Sequence, residues 1–74
     1  MFWMVALPAR DGRQYVYRVY APRDALPADL FWAAFHHHEE AGGPRASDRF
    51  DASEIWWVGG GAGPAAAELT VHQY

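Results

Sequence analysis

The sequence predicts an α+β fold in the order ββαββ: a four-stranded, largely antiparallel sheet with one helix packed on one face. Two runs rich in β-branched and aromatic residues flank Asp11-Gly12, which is typical of a β-hairpin. Apolar residues then recur at spacings of three and four between Leu26 and His38, as on an amphipathic helix. A chain of 74 residues is too short for two cores, so we expect one domain over residues 1–74.

Side-chain alternation places the strands. The first, Phe2 to Leu7, is apolar on both faces and is expected to lie centrally in the sheet. The second spans Gln14 to Ala21, the third Glu54 to Val58 and the fourth Glu68 to Tyr74. The second strand alternates between a more apolar face and a wetter face, carrying Tyr15, Tyr17 and Val19 against Val16, Arg18 and Tyr20.

The helix is predicted to end near Ala41, before the helix-stopping residues 42–44 (Gly-Gly-Pro). Asp24 is the expected N-cap, and Pro27 and Asp29 suit the first turn. The stripe expected to cover the sheet consists of Leu26, Leu30, Phe31, Ala34, Phe35 and His38.

The two remaining segments are predicted to be connections. Residues 45–53 are polar around Phe50, which indicates a surface segment held by one apolar anchor. The glycine-rich stretch from Gly59 to Pro64 is expected to be a turn or flexible loop.

Composition excludes several classes of protein. An apolar fraction of 51% and an aromatic fraction of 16% argue against intrinsic disorder. Without cysteine there is no disulfide, thiolate zinc site or cysteine nucleophile, which fits a cytoplasmic protein. No apolar run is long enough for a signal peptide or a membrane helix. The exclusive use of arginine as the basic residue, with abundant alanine, is typical of a high-GC bacterial or phage genome.

The formal net charge of −3 is unevenly distributed. Residues 1–23 are net positive, whereas residues 24–54 are net negative. The acidic middle disfavours nucleic acid there and would suit a basic partner surface, but ordinary solvated charge is the preferred interpretation.

The segment His36-His37-His38, followed by Glu39-Glu40, resembles a metal motif only superficially. Consecutive helical residues point about 100° apart, so adjacent histidines cannot converge on one ion. His36 and Glu40 have the required i, i+4 spacing and could bind a transition metal weakly, with His72 as a third ligand. The alternatives are a partly exposed helix end with favourable histidines, or a pH-sensitive group.

Signals for catalysis are weak. The glycine run 59–63 lacks the lysine of a phosphate-binding loop, because the chain contains no lysine, and it does not fit the dinucleotide fingerprint. Ser47, Ser53 and Thr70 are the available hydroxyl nucleophiles, and none lies in a nucleophile-elbow context. We therefore expect no enzymatic activity, no cofactor and no dedicated metal site.

Aromatic excess is the strongest functional signal. With Ile55 and Trp57 turned to one face, Trp56 and Val58 turn to the other, so one helix cannot cover all the bulky residues. Tryptophan, tyrosine and arginine dominate interface energetics, although they also complete small cores. The predicted partner-binding residues are Trp3, Arg18, Tyr20, Asp29, Trp32, Glu39, Glu40 and Trp56.

The leading hypothesis is a non-catalytic interaction domain that docks on a larger protein or ribonucleoprotein. Small bacterial and phage inhibitors, anti-CRISPR proteins among them, are similar in size, acidity and lack of motifs. The alternatives are a homodimer, a nucleic-acid-binding sheet using Arg18 and Tyr20, and a weak metal site at His36 to His38.

Part of the chain resembles antitoxin domains of the HicB type, namely the hairpin, residues 20–24 (Tyr-Ala-Pro-Arg-Asp) and the helix that follows. The glycine and cysteine expected after the turn in that family are absent. We transfer no function from this resemblance.

Overall fold

A computed structural model describes residues 2–59 and 70–73. It confirms the predicted ββαββ order and the antiparallel sheet with one helix packed against it. Glu68, Leu69 and most of the predicted glycine loop lie outside the described residues. The elements are β1 (Phe2–Pro8), β2 (Gln14–Tyr20), α1 (Pro27–Glu40), a short 3-10 helix (Phe50–Ala52), β3 (Glu54–Val58) and β4 (Thr70–Gln73).

The sheet has the strand order β3-β1-β2-β4, and each neighbouring pair is antiparallel. β1 therefore lies in the interior of the sheet, as its apolar character on both faces predicted. Val5 lies opposite Tyr17 on β2 and Ile55 on β3, which places these three side chains on one face. This register divides the sheet into a helix face and a face turned away from α1.

The Asp11-Gly12 turn closes the β1–β2 hairpin as predicted. Gly12 has φ +82°, a left-handed conformation that favours glycine. The Asp11 carboxylate accepts hydrogen bonds from the Arg13 backbone N–H at 3.0 Å and the Tyr15 hydroxyl at 2.9 Å. The bond from the Arg13 backbone, which favours the ionised form, lowers the pKa of Asp11.

The start of α1 differs from the prediction. The N-cap is Leu26, without a side-chain cap hydrogen bond, so the predicted Asp24 cap is wrong. Asp24 lies in a separate turn, in which the Ala25 N–H donates to the Pro22 carbonyl at 3.0 Å. Leu26 is 65% exposed because it precedes the first helical turn and does not belong to the buried stripe.

The rest of the predicted stripe faces the sheet. Phe35 is half-buried, at the border of the stripe. The helix ends at Glu40, and Gly42 adopts φ +74°, as expected of a glycine that follows a helix. The core combines the helix face of the sheet with the buried side of α1, namely Val5, Leu7, Tyr17 and Val19 against Leu30, Phe31 and Ala34.

The connection after α1 has a second point of attachment besides the predicted one. Phe50, the expected anchor, packs against Phe31 but is 44% exposed, whereas Ala46 is 6% exposed. Ala46 pairs antiparallel with Ala9, and the Ser47 N–H donates to the Pro8 carbonyl at 2.8 Å. Backbone pairing holds this segment, and composition could not indicate that.

Within the described part of the chain, no helix is long and apolar enough to cross a membrane.

Candidate functional site

The sheet face turned away from α1, which we call the far face, is the principal candidate surface. Its side chains follow from the register because they alternate with those that contact the helix. Both described helices lie on the opposite side of the sheet, since Phe31 of α1 belongs to the core and contacts Phe50 of the 3-10 helix. The far face comprises Phe2, Met4, Ala6, Val16, Arg18, Tyr20, Glu54, Trp56, Val58 and His72.

One row across the far face places Met4 between Arg18 and Trp56, with His72 beyond Arg18. Met4 is buried, whereas Trp56 is 42% exposed. The half-buried Arg18 has its Nε atom buried without a hydrogen-bond partner among the described residues. A buried donor without a hydrogen bond raises the free energy of the folded state. An acceptor that a partner places beside the Arg18 guanidinium would therefore bind favourably.

Aromatic rings lie in the next row of the far face, which contains Phe2 and Tyr20. The ring centroids of Phe2 and Tyr20 lie 5.4 Å apart, and those of Tyr20 and His72 lie 5.6 Å apart with the rings edge to face. Among the described side chains, Arg18 and Glu54 are the charged residues of this face. The far face is therefore aromatic around a central cation, with one acid at its corner.

The predicted partner-binding residues do not form one surface. Arg18, Tyr20 and Trp56 share the far face, as the sequence pattern indicated. Trp3 belongs to the helix face, where its indole N–H donates to the Pro22 carbonyl at 3.0 Å and its ring meets Trp57 edge to face at 5.2 Å. The remaining residues, Asp29, Trp32, Glu39 and Glu40, are exposed on α1, on the other side of the sheet.

The predicted acidic and aromatic groups are thus separated by the sheet. The acidic side chains of α1 cannot take part in an interface centred on Trp56, because they lie on the opposite side of the sheet. Among the described side chains, the charged residues that share the far face with Trp56 are Glu54, two residues earlier on β3, and Arg18, two strands away in the same row. Sequence reasoning missed Phe2 and Met4 as parts of this surface; the alternation along β1 was visible, but the pairing with β2 and β3 was not.

A second aromatic surface lies on the helix side. We call it the helix-side cluster, and it consists of Phe31, Trp32, Phe35 and Phe50. The ring of the buried Phe31 lies 4.9 Å from Trp32 and 5.7 Å from Phe50, measured between centroids. Trp32 is 43% exposed, close to the exposure of Trp56 on the far face. The cluster is another candidate surface and a natural control for the first.

His38 connects three elements from inside the protein. It is 2% exposed, its Nδ1 pairs with the Tyr17 hydroxyl, and its Nε2 pairs with the Pro44 carbonyl. Because a carbonyl can only accept, Nε2 carries a proton and donates to Pro44, while Nδ1 shares a hydrogen bond with the Tyr17 hydroxyl. An open depression of about 320 Å³ beside His38 is also lined by Glu39 and Asp48, but neither imidazole nitrogen is available to a ligand there.

This arrangement does not favour the metal hypothesis. Both imidazole nitrogens of His38 already have hydrogen-bond partners, and His36 Nδ1 lies 3.6 Å from Glu39 Oε1 at i, i+3 spacing. His72 lies on the far face, so it cannot complete a site with His36 on α1. Within residues 2–59 and 70–73, no group of three or more metal-binding side chains is present.

The candidate nucleophiles serve local structure where they are described. Ser47 Oγ accepts from the Arg49 backbone N–H at 3.2 Å, and Ser53 Oγ donates to the Phe50 carbonyl at 2.6 Å. Both contacts stabilise turns beside the 3-10 helix. The Thr70 side chain and glycines 60, 61 and 63 fall outside the described part of the structure.

Burial of Tyr17 predicts a pH effect on stability. Burial raises the pKa of the Tyr17 hydroxyl, and the neighbouring Tyr15 adds to the rise. A pKa that is higher in the folded state means that the folded protein binds this proton more tightly than the unfolded chain does. The resulting contribution to stability is fully present below the tyrosine pKa of the unfolded chain, about 10, and is lost as the pH rises through the pKa of the folded state. We expect the free energy of unfolding, measured by urea denaturation, to fall above about pH 10 and to fall less steeply in Tyr17→Phe. Equal alkaline slopes for the two proteins would contradict this assignment.

Comparison of this chain with family models, with curated proteins and with solved structures finds no match, so its function rests on the geometry described above.

Proposed function

We propose that the chain is a non-catalytic interaction domain that binds a partner protein through its far face. The observation that carries the proposal is the exposed Trp56 in one row with Arg18, whose buried Nε has no hydrogen-bond partner among the described residues. Tryptophan, tyrosine and arginine supply most of the binding energy in protein interfaces, and all three occur on this face.

The chemistry of the far face specifies what the partner offers. The guanidinium of Arg18 would donate to a carboxylate or carbonyl of the partner. The rings of Phe2, Tyr20 and Trp56 would pack against apolar surface around that acceptor. The proposed partner therefore presents an acidic group within an apolar patch on a larger protein. The chain acts by covering that patch, in the manner of a small cytoplasmic inhibitor from a bacterium or phage.

The two exposed tryptophans provide the test. The tagged chain is used to isolate a partner from source cells, and the dissociation constant is then measured with the purified partner. Trp56→Ala is expected to weaken binding by about 2 kcal/mol or more, roughly 30-fold, as for a central interface residue. Trp32→Ala is the matched control, since it removes an equally exposed tryptophan from the other side of the molecule.

The outcomes separate the two surfaces. Loss of binding in Trp32→Ala but not in Trp56→Ala would move the site to the helix-side cluster and overturn the proposal. Unchanged binding in both variants would exclude both surfaces. Arg18→Lys is expected to weaken the complex as well, because an ammonium group does not reproduce the planar, multi-donor geometry of guanidinium.

A second candidate function is binding of single-stranded nucleic acid. The observation that favours it is the segregation of charge: the acidic residues of α1 lie behind the sheet, and aromatic rings surround Arg18 on the far face. Bases stack on such rings and phosphates pair with arginine. Titration with a single-stranded oligonucleotide at about 50 and 200 mM salt tests this function, because phosphate-driven binding weakens steeply with salt. An absence of binding at the lower salt concentration would exclude it.

A further inference from the structure

The outer edge of β3 is a second surface with a definite chemistry. In the sheet order β3-β1-β2-β4, β3 pairs with β1 on one side, and no other described strand pairs with its outer side. An edge strand presents a row of backbone N–H and C=O groups that can pair with another strand. Its sequence decides whether such pairing is blocked.

β3 lacks the usual features that block pairing at an edge. Its sequence from Glu54 to Val58 contains no proline, lysine or glycine, and its register with β1 runs unbroken from Ala6 to Phe2, without a bulge. Its single charge is at the first residue. The centre, Ile55-Trp56-Trp57, consists of β-branched and aromatic residues that favour strands.

We propose that β3 pairs antiparallel with β3 of a second copy of this chain, about a two-fold axis at Trp56. This pairing joins the two four-stranded sheets into one. It goes beyond the proposed function because it concerns the edge of the sheet, although Trp56 belongs to both surfaces. The position chosen to test the edge is therefore Val58 and not Trp56.

Charge and side-chain type favour a second copy in this register. Parallel in-register pairing would place Glu54 against Glu54, which is destabilising. The antiparallel register places Glu54 opposite Val58 of the second copy and Trp56 opposite Trp56, an aromatic cross-strand pair on the far face. Ile55 then lies opposite Trp57 of the second copy on the helix face. All residues of β3 gain a neighbour, and no like charges face each other.

Val58 is the position that tests the register. Within one chain Val58 lies opposite Phe2, so Val58→Glu and Val58→Lys remove the same packing from the fold. Across the proposed interface the two substitutions introduce opposite charges. Glutamate faces Glu54 of the second copy twice per dimer, whereas lysine forms an ion pair there.

Sedimentation equilibrium over a wide concentration range provides the measurement. The unmodified chain is expected to approach twice its mass of 8.3 kDa as concentration rises. Val58→Glu is expected to raise the dimer dissociation constant at least about tenfold relative to Val58→Lys. The double variant Glu54→Lys/Val58→Glu, which restores opposite charges, is expected to dimerise like Val58→Lys.

The proposal fails under three results. A monomeric mass at all concentrations would exclude the dimer. Equal effects of Val58→Glu and Val58→Lys would place any dimer at another surface or register, and failure of the double variant to recover would do the same. Circular dichroism of each variant verifies the fold. Self-association requires no partner protein, so its failure is distinguishable from failure of the proposed function.

Discussion

Phe31→Ala is expected to lower the free energy of unfolding by about 3 to 5 kcal/mol, as a fully buried phenylalanine truncated to alanine does. Phe31 is 0% exposed and belongs to the core between α1 and the helix face of the sheet. Its ring also supports the helix-side cluster, with centroids 4.9 Å from Trp32 and 5.9 Å from Phe35. Small domains are marginally stable, typically by about 5 to 15 kcal/mol, so this loss leaves a substantial unfolded fraction.

Urea denaturation followed by tryptophan fluorescence measures the effect. Phe50→Ala is the matched control, because it removes the same group from a position that is 44% exposed. We expect it to cost about 1 kcal/mol, since less apolar surface is lost from burial. If Phe31→Ala cost no more than Phe50→Ala, Phe31 would not be the centre of the core.

His38→Leu is expected to destabilise the fold by about 2 to 4 kcal/mol, although it replaces a polar side chain with an apolar one inside the protein. The substitution leaves the Tyr17 hydroxyl and the Pro44 carbonyl without the partner that His38 provides. His38 joins α1, β2 and the turn after the helix, so its removal is also expected to loosen that turn. Hydrogen exchange of the Gly43 to Ser47 backbone measures the loosening.

Two controls isolate the hydrogen bonds. His36→Leu makes the same change at an exposed position of the same helix and is expected to alter stability by less than about 0.5 kcal/mol. The double variant Tyr17→Phe/His38→Leu removes the orphaned hydroxyl and is expected to cost less than the sum of its single changes. Strict additivity would show that Tyr17 and His38 do not act as a pair.

Much of the fold could be predicted because it depends on local patterns. Alternation placed Tyr17 and Val19 on the buried face of β2, and helical spacing placed Leu30 and Phe31 in the core. The Asp24 cap was wrong because its place depends on where the turn before the helix begins. Phe50 packs against Phe31 as an anchor would, but it stays 44% exposed. The burial of Ala46 depends on pairing with a residue distant in sequence, and local composition carries no information about that.

The candidate site was predicted in part. Trp56, Tyr20 and Arg18 were grouped correctly on one face, because residues of one strand alternate whatever the partner strand is. Trp3 was considered for the same patch, but strand pairing puts it on the helix face. The acidic residues of α1, predicted to contact the same partner, also lie on that side of the sheet. Binding of a partner by the far face stays a prediction. The comparison of Trp56→Ala with Trp32→Ala tests it.

The amino-acid sequence by itself determined the order of elements, the two faces of each strand and the surplus of aromatic residues, since these follow from the period of the backbone and the chemistry of each side chain. The tertiary structure decided which strands are neighbours. That pairing brings Met4, Arg18 and Trp56 into one row, leaves Arg18 Nε without a partner among the described residues and places β3 at an edge. Such features arise from contacts between residues far apart in the chain, whose free energy depends on the whole fold.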